Sequence, residues 1–493
     1  MWKNLIAKLR QVMYRMGLIR GIQSVYAKKE IPVNETFFNQ IDVWKALYSG
    51  YHEDFHKVKY HTLNGTRTRR MATLNIPKVV AQELATLVFN ERCEISISDP
   101  EFEENVKEVF RRNQFEREFQ RYLEYAFAMG GAVVKVFADD SGVRLGYVTA
   151  DCFIPLSWDQ DRIREGLFVS EIRRQAKKYT HLEWHVWEGS EYVVRNELYE
   201  SSGEDLGVKV PLATLFPDLQ EEVRIQNLKR PLFVYLKPNT ANNFDTTIPL
   251  GIAVYANALD TIKSLDIAFD SFQREFRLGR KRIIVPTAAI RTVIDPQTGQ
   301  AHRYFDANDE VYDAFNFDQD SDTIKDISVQ LRVEEHINAI NALLNLLAMQ
   351  IGFSAGTFTF DGQGVKTATE VVSENSKTFR TKQSHEIVIK EAIRELIETI
   401  GQVGELYGFF HTPSEYEVTV TFDDSVAQDK NADALYWIQL VNSGLASKQM
   451  AIQRVLGVTK EEAAALLKEI QQEQQTVTAQ AVDFFGMTSG GEG

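Results

Sequence analysis

The chemistry-bearing segment with the most familiar spacing is His52-Glu-Asp-Phe-His56, which satisfies H-E-x-x-H. On a helix that spacing places two imidazoles on one metal ion, with the glutamate as general base for hydrolysis. Gly50 lies close upstream, and YSGYHEDFHKVKYHT shows no strong buried helical stripe. The extended zinc-protease form needs glycine and histidine where the chain has Lys59 and Thr62, and His61 is one residue out of register. Glu83 and other carboxylates remain available as a third ligand. A zinc-dependent hydrolase is therefore the alternative reading, and a polar surface segment the preferred one. A second candidate, Gly362-Gln-Gly364-Val-Lys366-Thr367, precedes a helix and suggests a phosphate cradle. A P-loop ending at Lys366-Thr367 needs glycines at 360 and 365, which are Phe360 and Val365. A nucleotide-hydrolysing site is not supported. Arg277, Arg280, Lys281 and Arg282 cluster near a helix end, where they suit either DNA phosphates or the helix dipole.

The elements that must position these residues are dominated by the stretch from Gly251 to Gly408. Tyr255, Leu259, Ile262, Leu265, Phe269, Phe272 and Phe276 recur at steps of three and four, predicting a helix over Gly251–Leu278. Ile337, Ile340, Leu343, Leu344, Leu347 and Ile351 predict a second, over about Val333–Ile351. The glycine-punctuated segment SAGTFTFDGQGVK follows, and Thr367-Ala-Thr-Glu370 has capping-box form before a third helix some 40 residues long. The first half of that helix is polar on nearly every face, as expected for a solvent-bridging or polar-partnered helix. Its second half carries a stripe through Ile389, Ile393, Leu396, Ile400 and Val403, and Gly401 and Gly404 predict a bend or end.

Residues 1–250 read as mixed helix and strand. Helices are predicted over Asn75–Phe89 and Glu103–Met129, and a hairpin over Ala132–Phe137 and Arg144–Thr149. A meander is predicted through Leu167–Arg173, Thr180–Glu188 and Tyr192–Tyr199. Between Gly279 and Gln330 an insertion carries eight acidic residues and one lysine from Phe305 to Asp326. Glu415–Phe422 alternates as a strand, and three short helices follow over 432–442, 447–456 and 460–474. The end, through SGGEG, has no convincing period and is expected to be disordered.

Length allows two or three domains. With 44% hydrophobic and 25% charged residues, a folded soluble protein is the default. Cys93 and Cys152 form no C-x-x-C pair, which suits a reducing compartment. A net charge of −14 argues against a general basic grip on nucleic acid. No apolar run approaches the roughly 20 residues of a membrane span. The basic start MWKNLIAKLRQVMYRMGLIRGI reads as an amphipathic helix docked on the rest of the chain, with membrane-surface binding as a third reading.

The order of PLGIAVYANALDTIKSLDIAFDSFQREF, RKRIIVP and GVKTATEVVSENSKT, with WKALYSG and LNIPKVVAQELATLVFNE upstream, resembles the portal proteins of long-tailed bacteriophages. The resemblance implies an α+β fold assembled as a ring, with no enzymatic activity and no cofactor or metal. It implies an α/β wing over 1–250, with stem helices over 251–279 and 332–353. A small α/β clip would span 280–331 and a tunnel loop 354–366. A long helix and wing return strand over 367–425, a helical crown over 426–475 and a flexible tail over 476–493 complete that division. Thr357, Phe358, Thr359, Phe360, Asp361 and Lys366 would line the DNA channel, and Asp306, Asp309, Glu310 and Asp313 would contact the terminase or a head–tail adaptor. The implied assembly is a homododecamer at the capsid portal vertex of the virion, built in the host cytoplasm. Implied partners are the terminase large subunit, scaffold and major capsid proteins, adaptor proteins and double-stranded DNA, with no membrane.

Overall fold

In the computed structural model the apolar alternation of residues 132–201 becomes two stacked sheets, with helices supplied from both halves of the chain. The structure describes residues 31, 34–62, 65–90, 93–174, 177–203, 205–279, 283–284, 291–294, 301–304, 325–326, 330–359, 376–422, 430–456 and 463–470. The basic N-terminal segment and the tail lie outside them.

Helix α1 (Glu35–Tyr48) opens on Asn34, whose side chain accepts from Phe37 N–H. A single helical turn, Glu53–His56, leads into the hairpin β1 (Lys57–Thr62) and β2 (Gly65–Arg70). Then come α2 (Ile76–Val88), β3 (Glu94–Ile97), α3 (Pro100–Arg112) and α4 (Phe115–Met129). The single helix expected over Glu103–Met129 is thus two. Asn113 breaks it: its amide donates to the carbonyls of Val109 and Val143, its oxygen accepts from Leu145 N–H, and Gln114 adopts φ +51°.

Strands β4 (Ala132–Asp139) and β5 (Gly142–Thr149) form the expected hairpin. The meander is β6 (Phe153–Asp159), β7 (Arg162–Arg174), β8 (Lys177–Glu188) and β9 (Glu191–Ser201), joined by β10 (Val208–Val210) and β11 (Glu222–Ile225), which both pair with β9. β12 (Phe233–Leu236) pairs with β4. Period-two alternation divides β4 between two cores. Val133 joins Phe153, Phe168 and Phe233 in a small inter-sheet cluster, while Val134 and Val136 face the main helical core.

Helix α5 is Leu259–Leu278, about 30 Å long. It begins eight residues later than the stripe suggested, because the preceding backbone is committed elsewhere. Val254 N–H donates to Phe127 O, and the Tyr255 hydroxyl lies 2.8 Å from Ala128 O and 3.0 Å from Trp44 O. Gly251 runs against Gly130: a Cβ on either would fall 2.3–2.4 Å from the other's carbonyl oxygen. Short strands β13 (Ile283–Ile284) with β16 (Lys325–Asp326), and β14 (Arg291–Ile294) with β15 (Ala301–Tyr304), interrupt the chain before α6 (Val333–Ile351).

Helix α7 (Ser376–Leu406) buries Ile389, Ile393, Leu396, Ile397, Ile400 and Val403. It packs on β4, β12, α2 and α3. The described part of its polar half, from Ser376, faces polar partners, one of the two arrangements expected of it. Lys382 and His385 are buried there, Lys382 paired with Glu386 at 2.7 Å. Its glycines lie in the last turns before its end, as expected. A Cβ on Gly404 would meet the Phe410 ring and one on Gly401 would meet Thr412, so both positions admit the returning chain, and the helix ends two residues beyond Gly404. β17 (Val418–Thr421) then pairs with β3, and α8 (Lys430–Asn442) packs on α9 (Lys448–Leu456), with 463–470 also helical.

Two buried histidines link this fold to pH. Burial pushes His181 and His385 down to about 4. Nδ1 of His385 accepts from Asn239 N–H, an arrangement that needs the neutral ring. The unfolded chain therefore takes up protons first, below the usual histidine value of about 6.5. Stability is full above that pH and falls as pH drops toward 4, by on the order of 3 kcal/mol for each ring. Denaturant midpoints of the full chain should decline between pH 7 and 4.5, and His181→Gln with His385→Gln should flatten that slope; a flat wild-type profile would refute the assignment.

Candidate functional site

Two segments leave the helical frame and return to it, and side chains close each at its root. At the first root, the last full turn of α5 meets the start of α6. The Glu275 carboxylate accepts from Arg332 Nε at 3.2 Å, Nη2 at 3.0 Å and the backbone N–H at 3.3 Å. That guanidinium holds the Glu275 carboxyl down to about 2. His336 stands 3.8 Å from the same carboxylate and its ring lies against Phe272. Asp306, Asp309, Glu310 and Asp313, within the segment so closed, lie outside the described residues. So do Arg280, Lys281 and Arg282; Arg277 is exposed on the last turn of α5.

At the second root, α6 ends on Gly352 at φ +84°, where any side chain would strike Thr381. Ser354 and Thr378 then bond reciprocally: Ser354 N–H donates to Thr378 Oγ1 at 2.8 Å, and Thr378 N–H donates to Ser354 Oγ at 3.2 Å. Thr381 Oγ1 donates to Gly352 O at 2.6 Å, and Lys377 Nζ to Met349 O at 2.7 Å. Thr357 Oγ1 donates to Ser354 O, Gly356 N–H to Asn345 Oδ1, and Phe358 packs its half-buried ring on Phe353 at 5.2 Å. Thr359 is half-buried beside it. Phe360, Asp361, Lys366, and the Gly362–Thr367 phosphate-cradle candidate, lie outside the described residues. A cleft of about 460 Å³ borders this root, lined by Asn239, Gln350, Lys377, Arg380, Thr381 and His385.

HEDFH is not arranged as a metal motif. His52 is the N-cap of a four-residue helix, and only His56 lies within it. His56 Nδ1 accepts from His52 N–H at 2.9 Å, which leaves Nε2–H to face Asp266 Oδ2 on α5 at 3.1 Å. Both ring nitrogens are thus occupied, and Glu53 is ion-paired with Lys57. His56 is 1% exposed, so the expectation of a surface segment holds for Glu53 and Asp54 and fails for His56. Asp266 and its neighbour one turn on, Asp270, gather the returning backbone: Asp266 accepts from Leu74 N–H, and Asp270 from Ala72 N–H and both Arg69 terminal nitrogens. Sequence reasoning missed these two carboxylates; their signal was four-residue spacing beside the apolar stripe of α5.

A buried polar cluster lies between the sheets. Lys135 donates to Glu183 at 2.6 Å, Glu183 meets His185 at 2.8 Å, and His185 meets the Tyr192 hydroxyl at 2.9 Å. Burial pushes the Glu183 carboxyl up, but the Lys135 charge and the His185 hydrogen bond outweigh it and hold the carboxyl well down. The adjoining cavity is about 40 Å³ and these groups are spent on one another. Burial likewise pushes the thiols up, Cys93 to about 12, so neither is poised as a nucleophile. Among the described residues no three His, Cys, Asp or Glu side chains are placed to share a metal ion, and no helix is long and apolar enough to cross a membrane.

A family model described as phage portal protein, SPP1 Gp6-like, matches residues 27–476. No curated protein matches the chain.

His56→Ala leaves the Asp266 carboxylate buried without its ring partner and should cost about 2–4 kcal/mol in denaturant unfolding. Glu53→Ala, at an exposed and solvent-screened pair, should leave the unfolding midpoint close to wild type. Equal losses, or one zinc per chain released by His52→Ala, would contradict the structural role.

Proposed function

The chain belongs to the SPP1 Gp6-like family of phage portal proteins, and from that premise we propose that its subunits close into a ring at one capsid vertex, a channel for double-stranded DNA. The match across residues 27–476 is the observation that carries this reading. Ring closure needs one heterologous interface repeated about an axis. Large apolar side chains left exposed on the helices support such an interface: Ile267, Phe276 and Leu278 on α5, Leu346 and Met349 on α6, and Ile387 on α7.

In this reading α5 and α6 form the stem, the insertion between them is the clip, and residues 1–250 with β17 are the wing. The helices from α8 onward form the crown. The ring is a dodecamer that nucleates head assembly with scaffold and major capsid proteins, docks the terminase large subunit and later receives head–tail adaptors. Asp306, Asp309, Glu310 and Asp313 present the clip's acidic contact surface. The portal family is structural, so the mechanical work of packaging comes from the motor it docks.

Thr357, Phe358, Thr359, Phe360, Asp361 and Lys366 belong to the channel loop. Phe358 on Phe353 pins its root, and the residues after it are the ones that meet DNA. The inventory of two aromatics, one carboxylate and one lysine favours steric contact over electrostatic grip.

Replacing residues 359–375 by a short glycine-serine bridge should leave folding and ring yield near wild type, because the Ser354–Thr378 closure and the helical stripes persist. Nuclease-protected DNA in assembled heads should fall several-fold. Unchanged packaging and retention in intact rings would refute the loop's role, and loss of rings would make it a structural brace. Native mass spectrometry of the wild-type chain tests the ring itself; a monomer under all assembly conditions would refute it.

A further inference from the structure

Hairpin β1–β2 is unlike the rest of the chain in charge and in packing. Residues 57–70 include Lys57, Lys59, Arg67, Arg69 and Arg70 and no acidic residue, in a chain of net charge −14. The two strands pair with each other and with no other strand among the described residues. An isolated two-stranded ribbon is marginally stable in water, and among the described residues no third strand lies on either of its edges.

Its base, by contrast, is fixed. Arg69 forks onto Asp270 at 2.7 and 2.5 Å, His56 meets Asp266, and Met71 N–H donates to His56 O at 2.7 Å. Arg70 donates to Gly50 O and lies over the Tyr51 ring, and Lys57 pairs with Glu53. The anchoring cations are used up there. Lys59 and Arg67 stand exposed beyond them, with Tyr60 directly across from Arg67 and His61 across from Thr66. A rigidly rooted arm that carries exposed cations is built to be received by something acidic.

We propose that this hairpin is a clasp that docks on the acidic surface of a second copy of the chain, the next subunit of the ring. The inference rests on the ring reading above. Two features favour a protein receiver over DNA. Two exposed cations, Lys59 and Arg67, neutralise few phosphates, and affinity for DNA scales with that number. A ribbon with two open edges is completed by another polypeptide, through strand addition or side-chain bonds to its backbone. The excess of carboxylates over the whole chain supplies the complementary charge, and a basic arm offsets the repulsion between like-charged neighbours.

The test uses the full chain with Lys59→Glu and Arg67→Glu together. The concentration at half-assembly, by sedimentation and native mass spectrometry, should rise about tenfold or more. The far-ultraviolet spectrum and melting of the unassembled chain should not change. Raised salt should weaken wild-type assembly more than that of the variant. A photo-crosslinker at position 60 should join acidic segments of another copy. Wild-type assembly and salt dependence in the variant, or crosslinks confined to its own chain, would overturn the clasp while leaving the ring intact. Loss of binding to a short DNA duplex with assembly unchanged would overturn it in favour of nucleic acid. A wild-type chain that never assembles would overturn the ring reading, and the clasp with it.

Discussion

The burial of one stripe on α7 is the constraint on which the other elements depend. Ile389, Ile393, Leu396, Ile397, Ile400 and Val403 are each at most 1% exposed. At about 1.5–3 kcal/mol per buried side chain, they contribute on the order of 10–15 kcal/mol, comparable to the net stability of a whole domain. Because the stripe touches β4, β12, α2 and α3 together, it fixes a late segment of the chain onto the early sheets and helices. The root between α6 and α7 inherits that rigidity, since Thr378 and Thr381 lie on the same continuous helix.

Periodicity made much of this legible. The stripes of α2, α6 and the second half of α7, and the alternation of β4, β5 and β7–β9, are local patterns produced directly by burial on one face. The departures have long-range causes. Nothing in the α5 stripe announces that Val254 N–H is claimed by Phe127, more than a hundred residues earlier, so the helix start was misplaced. Asn113 splits a continuous-looking helix by bonding to β5, a partner that local spacing does not reveal. The polar half of α7 was legible as polar-partnered but its partners were not: Lys382 and His385 are buried polar residues, and the one that His385 bonds, Asn239, lies far away in the chain.

The candidate site was legible as a segment and less so as chemistry. The glycines and capping signal located the connection after α6, whereas the Ser354–Thr378 exchange depends on two ordinary hydroxyl residues 24 positions apart. HEDFH shows the converse, a motif whose letters match and whose geometry does not. One imidazole became a buried partner of a carboxylate, and Asp266 of α5 took the place a metal would occupy. The Lys135–Glu183–His185 cluster resembles a reactive site in composition, but its closed cavity and mutual bonds mark it as an ion network that constrains how the sheets pack.

The contact between Gly130 and Gly251 has a mechanical meaning. Elements that meet through side chains can absorb displacement by a change of rotamer. Here two main chains touch with no Cβ between them, immediately after α4 and just ahead of α5. The Tyr235 hydroxyl bridges them, 3.3 Å from Gly130 O and 3.4 Å from Gly251 N. Such a joint has little compliance. An axial load on α5 is delivered to the end of α4 as a displacement of backbone, so the two helices bear it as one stiff lever.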